Sequence, residues 1–164
     1  MRILKAAQLV EYEPFIDMAV ETSHASTCLR AKCGAVIVSG DEVIGLGYNS
    51  PPGNLESQRR CLRRDEIGPG FKSDKTCCVH AEERAVIDAL KTNANKLPGS
   101  TMFFARLTEH GDSESTQPYC TICSKMTLDA GITHMVLKQM EGWVVYDTTE
   151  YNDASFAYGS REGA

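Results

Sequence analysis

No apolar run in this chain approaches the roughly 20 residues that a membrane-spanning helix needs. The opening stretch, Met1 to Glu13, carries Arg2 and Lys5 but neither a sustained apolar core nor a small-residue cleavage site, so a secretory leader is not expected and a cytoplasmic protein is. Internal repeats and low-complexity tracts are also missing, which excludes solenoid and linker-dominated architectures. Positive charge is in deficit, with 17 Lys and Arg against 22 Asp and Glu and a formal net charge of -5. A global attraction to phosphate polymers is therefore not expected, and a small substrate is favoured over nucleic acid. The cysteines do not pair off either. There are seven, and an odd number without an export signal points to metal ligation rather than a disulfide framework. What remains is ordinary for a globular protein: 164 residues, 42% hydrophobic and 24% charged. That is one domain's worth of chain with one substantial core, and residues 1–164 are read as a single domain.

Helical and strand patterns alternate along the chain. Phe15, Met18, Ala19 and Thr22 fall at i, i+3, i+4, i+7 and predict a helix over Glu13 to Cys28. Ala35 to Val38 and Val43 to Leu46 flank Ser39-Gly40-Asp41-Glu42 and predict a β-hairpin. Gly47 to Lys75, rich in proline, glycine and charge, reads as a long functional loop holding one short helix. A helix follows over His80 to Lys91, with Ala81, Ala85 and Ala89 on one face and Val86 and Leu90 beside them. Thr101 to Ala105 is predicted as a buried strand, Cys120 to Ala130 as a helix, Ile132 to Leu137 and Trp143 to Tyr146 as strands, and Thr148 to Tyr158 as a helix before a frayed tail. Such alternation after a hairpin implies an α/β sheet covered by helices on both faces, with ligands at the strand ends where helix N-termini converge.

Two motifs lie at predicted helix starts: Cys78-Val79-His80-Ala81-Glu82 and Pro118-Tyr119-Cys120-Thr121-Ile122-Cys123. Cys120 and Cys123, three apart, share one face of a first turn, where the helix N-terminus favours negative charge and lowers thiol pKa. With His80 they offer three zinc ligands, and three protein ligands leave the open position a catalytic site requires. Zinc lowers the pKa of a bound water to about 7, and Glu82, two residues past His80, is free to move protons beside it. The competing interpretation is a structural zinc with His80 and Glu82 merely capping a helix. A structural site normally has four protein ligands, so the catalytic arrangement is preferred.

The H-x-E…P-C-x-x-C arrangement is the signature of zinc nucleobase deaminases, and from about Phe15 to Leu137 the chain resembles the cytidine/deoxycytidylate deaminase superfamily, most of all its deoxycytidylate (dCMP) branch. Leu29 to Val38 resembles the branch's first strand and its approach, and Gly47-Tyr48-Asn49-Ser50-Pro51-Pro52-Gly53 is similar to its GYNGxPxG loop. The resemblance implies a three-layer α/β/α sandwich around a mixed sheet of about five strands, zinc on His80, Cys120 and Cys123, and Glu82 as the catalytic carboxylate. It further implies that Asn49 hydrogen-bonds the sugar, that the Ala81 backbone contacts the base, and that Arg30 lies where a phosphate-binding arginine is found. The implied reaction is hydrolysis of dCMP to dUMP and ammonia by a homo-oligomer. Beyond Gly142 the resemblance stops.

The chain also departs from the family pattern. Tyr119 separates Pro118 from Cys120, the polar stretch Leu107 to Tyr119 is longer than usual, and Glu83-Arg84 replaces the Met/Leu-Asn usual in dCMP deaminases. By the same resemblance Cys28 and Cys61, with Cys77 or Cys78 and His24, are candidates for a second, structural zinc, against a plain reading of cysteine as a small buried hydrophobe. Arg59-Arg60-Cys61-Leu62-Arg63-Arg64 is either a solvated loop or a phosphate contact. The aromatic residues Trp143, Tyr146, Tyr151, Phe156 and Tyr158 are read as packing or an oligomer surface, with one tyrosine able to close over a substrate. Two other functions stay open: deamination of another base or of a polynucleotide such as tRNA, and a non-catalytic zinc-stabilised module.

Overall fold

Long-range strand pairing, which no local pattern specifies, sets the architecture. The computed structural model describes residues 1–60, 78–108 and 110–158. Six strands form one mixed sheet in the order β1-β6-β5-β4-β2-β3. They are β1 (Arg2–Ile3), β2 (Lys32–Ser39), β3 (Glu42–Tyr48), β4 (Thr101–Leu107), β5 (His134–Gln139) and β6 (Gly142–Asp147). Only β4 and β5 run parallel; every other neighbouring pair is antiparallel. The predicted hairpin forms as β2–β3, and Gly40 supplies the positive φ of 61° that its turn requires.

The central strands are apolar on both faces because helices cover both. On one side α1 (Ala6–His24) packs over Val36, Val38, Phe103, Ala105, Val136 and Val145. On the other, α2 (Ala81–Thr92), α3 (Thr121–Asp129) and α4 (Thr148–Ala157) accompany a core that includes Ala35, Ile37, Met102, Phe104, Met135, Leu137 and Val144. The result is the expected three-layer α/β/α arrangement. Gly45 and Gly47 let α2 lie against β3, since a Cβ at Gly47 would fall on the Ala81 carbonyl oxygen and one at Gly45 on that of Ala85.

Several sequence expectations are corrected. The sheet has six strands rather than about five, because the two-residue β1 pairs with β6 through Arg2–Val145 and Ile3–Val144. Helix α1 begins seven residues before Glu13 and carries Pro14 inside it. Pro14 and Val10 are both exposed, so the carbonyl that loses its intrahelical partner can turn to water. The buried positions of α1 are Ile16, Ala19 and Ser23, and Met18 faces solvent. Leu90 is likewise exposed on α2. In the Gly47 to Lys75 stretch the described residues hold two 3-10 turns, Pro52–Asn54 and Glu56–Gln58, and the later part, on which the expected short helix also bears, lies outside the described residues. Residues 143–158 belong to the fold, and the tail expected after Tyr158 lies outside the described residues. Val144, Val145, Tyr146 and Tyr151 are buried, and β6 and α4 close the far half of the sheet.

Candidate active site

The site is assembled from two helix starts. His80 is the N-cap of α2, with extended backbone at φ -70° and ψ 158°. The chain just before it is tied down by a two-bond bridge, Val79 N–H to the Ser50 carbonyl at 3.0 Å and Ser50 N–H to the Val79 carbonyl at 3.4 Å. The His80 N–H donates to Glu83 Oε2 at 2.7 Å, a side-chain return bond of the capping-box kind. Arg84 adds a third hold, with Nη2 donating to the Pro51 carbonyl at 2.8 Å and the guanidinium 5.8 Å over the Tyr48 ring. Glu83 and Arg84, read from sequence only as departures, thus fix the helix start that presents His80 and Glu82. A Glu three residues after an N-cap is the signal that could have revealed the first of these roles.

Cys120 is the N-cap of α3, and its Sγ accepts the Cys123 N–H at 3.3 Å. This bond places both sulfurs on one face of the first turn. His80 Nδ1 lies 3.2 Å from Cys123 Sγ and 3.3 Å from Cys120 Sγ, and the two sulfurs are 2.9 Å apart. Among the described residues this is the only group of three or more His, Cys, Asp or Glu side chains whose donors are close enough to share one ion. One imidazole and two thiols, largely shielded from water, form a borderline-soft donor set that suits zinc.

The charges in the cluster are coupled. The Cys120 thiol is drawn well below its usual range by the hydrogen bond with Cys123 and by His80. His80 is raised to about 9, chiefly by its hydrogen bond with Cys120 and against the effect of burial. Glu82 is only 5% exposed. Burial raises its carboxyl to about 7, with His80 pulling the other way. A carboxyl that titrates near neutrality can both take and return a proton at physiological pH.

The structure brings His80, Cys120 and Cys123 together and places Ala81, fully buried, and Glu82 in the same turn of α2. Asn49 is buried and heavily engaged: Oδ1 accepts from Ser26 Oγ at 2.6 Å and Cys33 N at 2.8 Å, and Nδ2 donates to the Ala31 carbonyl at 2.9 Å. Its amide carries two N–H donors, and the second has no partner among the described residues. Arg30 is exposed in the loop between α1 and β2, where its charge acts on Cys28. Cys28 and Cys78 are in hydrogen-bond contact, and that contact leads the causes that lower Cys28 to about 5. Cys61 and Cys77 lie outside the described residues. Two features were not foreseen. Arg106, the one charged residue of β4, pairs with Glu114 at 2.7 Å. The Tyr119 ring rests on Tyr158 with centroids 5.9 Å apart.

Residues 10–139 match the family model of the cytidine and deoxycytidylate deaminase zinc-binding region. The chain belongs to this family. A deoxycytidylate deaminase of Mycobacterium phage D29 is 32% identical over 130 residues, which cover 76% of this chain and 91% of that protein. A deoxycytidylate deaminase of Schizosaccharomyces pombe is 28% identical over 146 residues, covering 87% of this chain but 38% of that protein. The chain therefore spans most of the phage relative and well under half of the yeast one. Among solved structures, a dCMP deaminase from the cyanophage S-TIM5 in complex with dCMP and dUMP is 25% identical, with a TM-score of 0.56 over 80% of this chain and 81% of that one. A cytidine deaminase from Burkholderia pseudomallei, 18% identical with a TM-score of 0.57, shares the fold over 85% of this chain and 94% of its own. Both motifs of the donor cluster fall inside the span of the family's zinc-binding region.

Proposed function

We propose that the protein hydrolyses the 4-amino group of a cytosine mononucleotide, dCMP by preference, to give dUMP and ammonia. The observation that carries this reading is the pairing of a three-donor cluster with a buried carboxyl, Glu82, that is not one of the donors. His80 Nδ1, Cys120 Sγ and Cys123 Sγ would hold zinc, which supplies Lewis acidity and lowers the pKa of water. Glu82 takes one proton of the attacking water as its oxygen bonds C4 and passes that proton to the pyrimidine ring nitrogen; it then carries the water's second proton from that oxygen to the amine, so that the C4–N bond breaks, ammonia leaves and a C4 carbonyl remains. In this reading the Ala81 backbone contacts the base and the Asn49 side-chain amide contacts the sugar. Arg30 is the candidate ligand of the 5′-phosphate.

Relatives whose names specify dCMP, together with the net charge of -5, favour a monomer over a polymer. A panel of dCMP, CMP, deoxycytidine, cytidine, cytosine and a short oligonucleotide, assayed for ammonia, tests the reading. It is sunk by deamination of the oligonucleotide with no activity on any monomer.

A second, structural zinc is supported by the contact between the Cys28 and Cys78 thiols, which sit on the two segments flanking the site. Metal analysis giving two zincs per chain, falling to one in Cys28→Ala, is the expected result; a single zinc in both proteins rules it out. We also infer one domain acting in the cytoplasm, where thiol ligands stay reduced. Assembly into a homo-oligomer is inferred as well, with exposed Leu46, Ile87 and Leu90 of β3 and α2 as the apolar surface to be covered. Light scattering on the purified protein reads the assembly directly.

A further inference from the structure

We propose that α4 is a positioning element for the metal-binding turn and acts through Asn152, whose side chain holds Ser124, the residue that closes the turn carrying Cys120 and Cys123. This goes beyond the proposed reaction and rests only on the reading of His80, Cys120 and Cys123 as metal ligands.

Helix α3 has little of its own to hold it in place. It is nine residues long, shorter than the about 12–15 residues below which an isolated helix is marginal in water. Its buried positions are Cys123, Ser124 and Thr127, and the two hydroxyl residues among them contribute little apolar area. Ile122 and Leu128 face solvent, and Met126 reaches the core only in part. Polar contacts on the buried face carry the attachment instead. The Ser124 N–H donates to the Cys120 carbonyl at 3.0 Å, which is the backbone bond that closes the turn containing both sulfurs. Ser124 is fully buried, and its Oγ donates to Asn152 Oδ1 of α4 at 2.8 Å. Its carbonyl in turn accepts from Thr127 Oγ1 at 3.0 Å.

The far side of this contact is fixed to the sheet. Thr148, the first residue of α4, donates from its N–H to the Thr133 carbonyl at 3.0 Å and from Oγ1 to the Ile132 carbonyl at 2.6 Å. Next to Asn152, the buried Tyr151 sets its ring edge-on to Tyr146 of β6, with centroids 5.8 Å apart. Two flanking contacts join the same pair of helices: Lys125 Nζ lies 6.0 Å over the Phe156 ring, and Tyr119, just before Cys120, rests on Tyr158. Asn152 itself stands outside residues 10–139, the part that matches the family model. The bond to Ser124 lets both thiols meet an ion from a turn that is already ordered. Once it is cut, the first turn of α3 frays, and apparent metal affinity falls with the fraction of molecules whose turn is still competent. Groups that orient ligands without touching the metal act on affinity in this way.

The test measures zinc affinity by competition with a chromophoric chelator, and the visible spectrum of the Co(II)-loaded protein. The proteins compared are wild type, Asn152→Ala, Ser124→Ala and the double variant. Each single variant should bind zinc about 2- to 12-fold more weakly, the range for one neutral hydrogen bond, and the Co(II)–thiolate charge-transfer band should shift. The double variant should lose no more than the worse single one, because both substitutions delete the same bond. Wild-type affinity in both single variants, or losses that multiply in the double variant, overturn the proposal. So does a lower Tm of the chelated protein with zinc affinity and the Co(II) spectrum unchanged, which is what a merely structural contact would give. If Asn152→Ala does not fold, Ser124→Ala decides. A wild type that binds neither metal overturns the ligand reading and this proposal together. One that binds both but deaminates no cytosine monomer overturns the proposed reaction alone.

Discussion

Replacing Glu82 with Gln should move stability and turnover in opposite directions. In the metal-stripped protein the carboxyl is 5% exposed, and burial raises it from the ordinary 4.5 to about 7. The folded state therefore binds more protons than the unfolded chain between those values, so stability falls as pH rises from about 4.5 to about 7 and stays reduced above that. At 1.36 kcal/mol per unit, the ionised carboxylate costs about 3 kcal/mol at pH 8. Glu82→Gln removes the charge and keeps the shape, so the two proteins should unfold alike near pH 4.5 and diverge toward pH 8. For a chain of this length about 3 kcal/mol corresponds to a Tm higher by about 6–12 °C. His80, raised to about 9 chiefly by its hydrogen bond with Cys120, adds its own decline between its ordinary 6.5 and that value, a smaller one in the variant because the Glu82 charge contributes to raising it. Thermal unfolding after chelation, from pH 4.5 to 8, provides the curves. The zinc-loaded variant should meanwhile lose about 10²- to 10⁴-fold or more in turnover, the usual contribution of general acid-base catalysis. A variant no more stable than wild type at pH 8 would refute the burial argument. An active one would show that another group moves the proton.

Metal analysis of Cys120→Ala and of Cys123→Ala should show loss of the tightly bound zinc, and full retention in both would remove the ligand assignment. Arg30→Ala should penalise dCMP more than deoxycytidine by about 10- to 150-fold if Arg30 meets the phosphate; equal penalties dismiss that role. Gly47→Ala forces a Cβ against the Ala81 carbonyl where α2 starts. It should cost about 1–3 kcal/mol by overpacking and lower zinc affinity, because His80 sits one residue before; denaturant unfolding and metal titration would check both. Unchanged stability would mean that α2 can shift freely.

How much was legible in the sequence depended on the range of the interaction. Ligand spacing within one helical turn is a local property. Cys120 with Cys123, and His80 with Glu82, could therefore be assigned roles before their helices were placed. The buried strands β2, β4 and β5 were visible as short apolar runs, because helices on both faces remove the polar alternation. Capping was legible in principle through Glu83, but its value depends on where the helix begins, and periodicity alone leaves that open by a few residues. Helix α1 shows the same weakness. The spacing places its start at Glu13, but the helix runs back to Ala6 through Pro14, with Pro14 and Val10 both exposed to water.

Contacts between residues far apart in sequence were decided by the tertiary structure alone. The two-residue β1 has too little pattern to be seen, and exists because β6 offers it an open edge. Met18 and Leu90 carry apolar side chains in helical register but lie on the solvent sides of their helices. Arg106 with Glu114, Tyr119 with Tyr158, and Cys28 with Cys78 meet only because the sheet order brings their segments together. The sequence by itself therefore determined the three-donor cluster and the carboxyl beside it, since metal ligation needs a few residue types at fixed local spacing. The contacts around that cluster were left to the fold, because they join side chains whose proximity is a consequence of strand pairing.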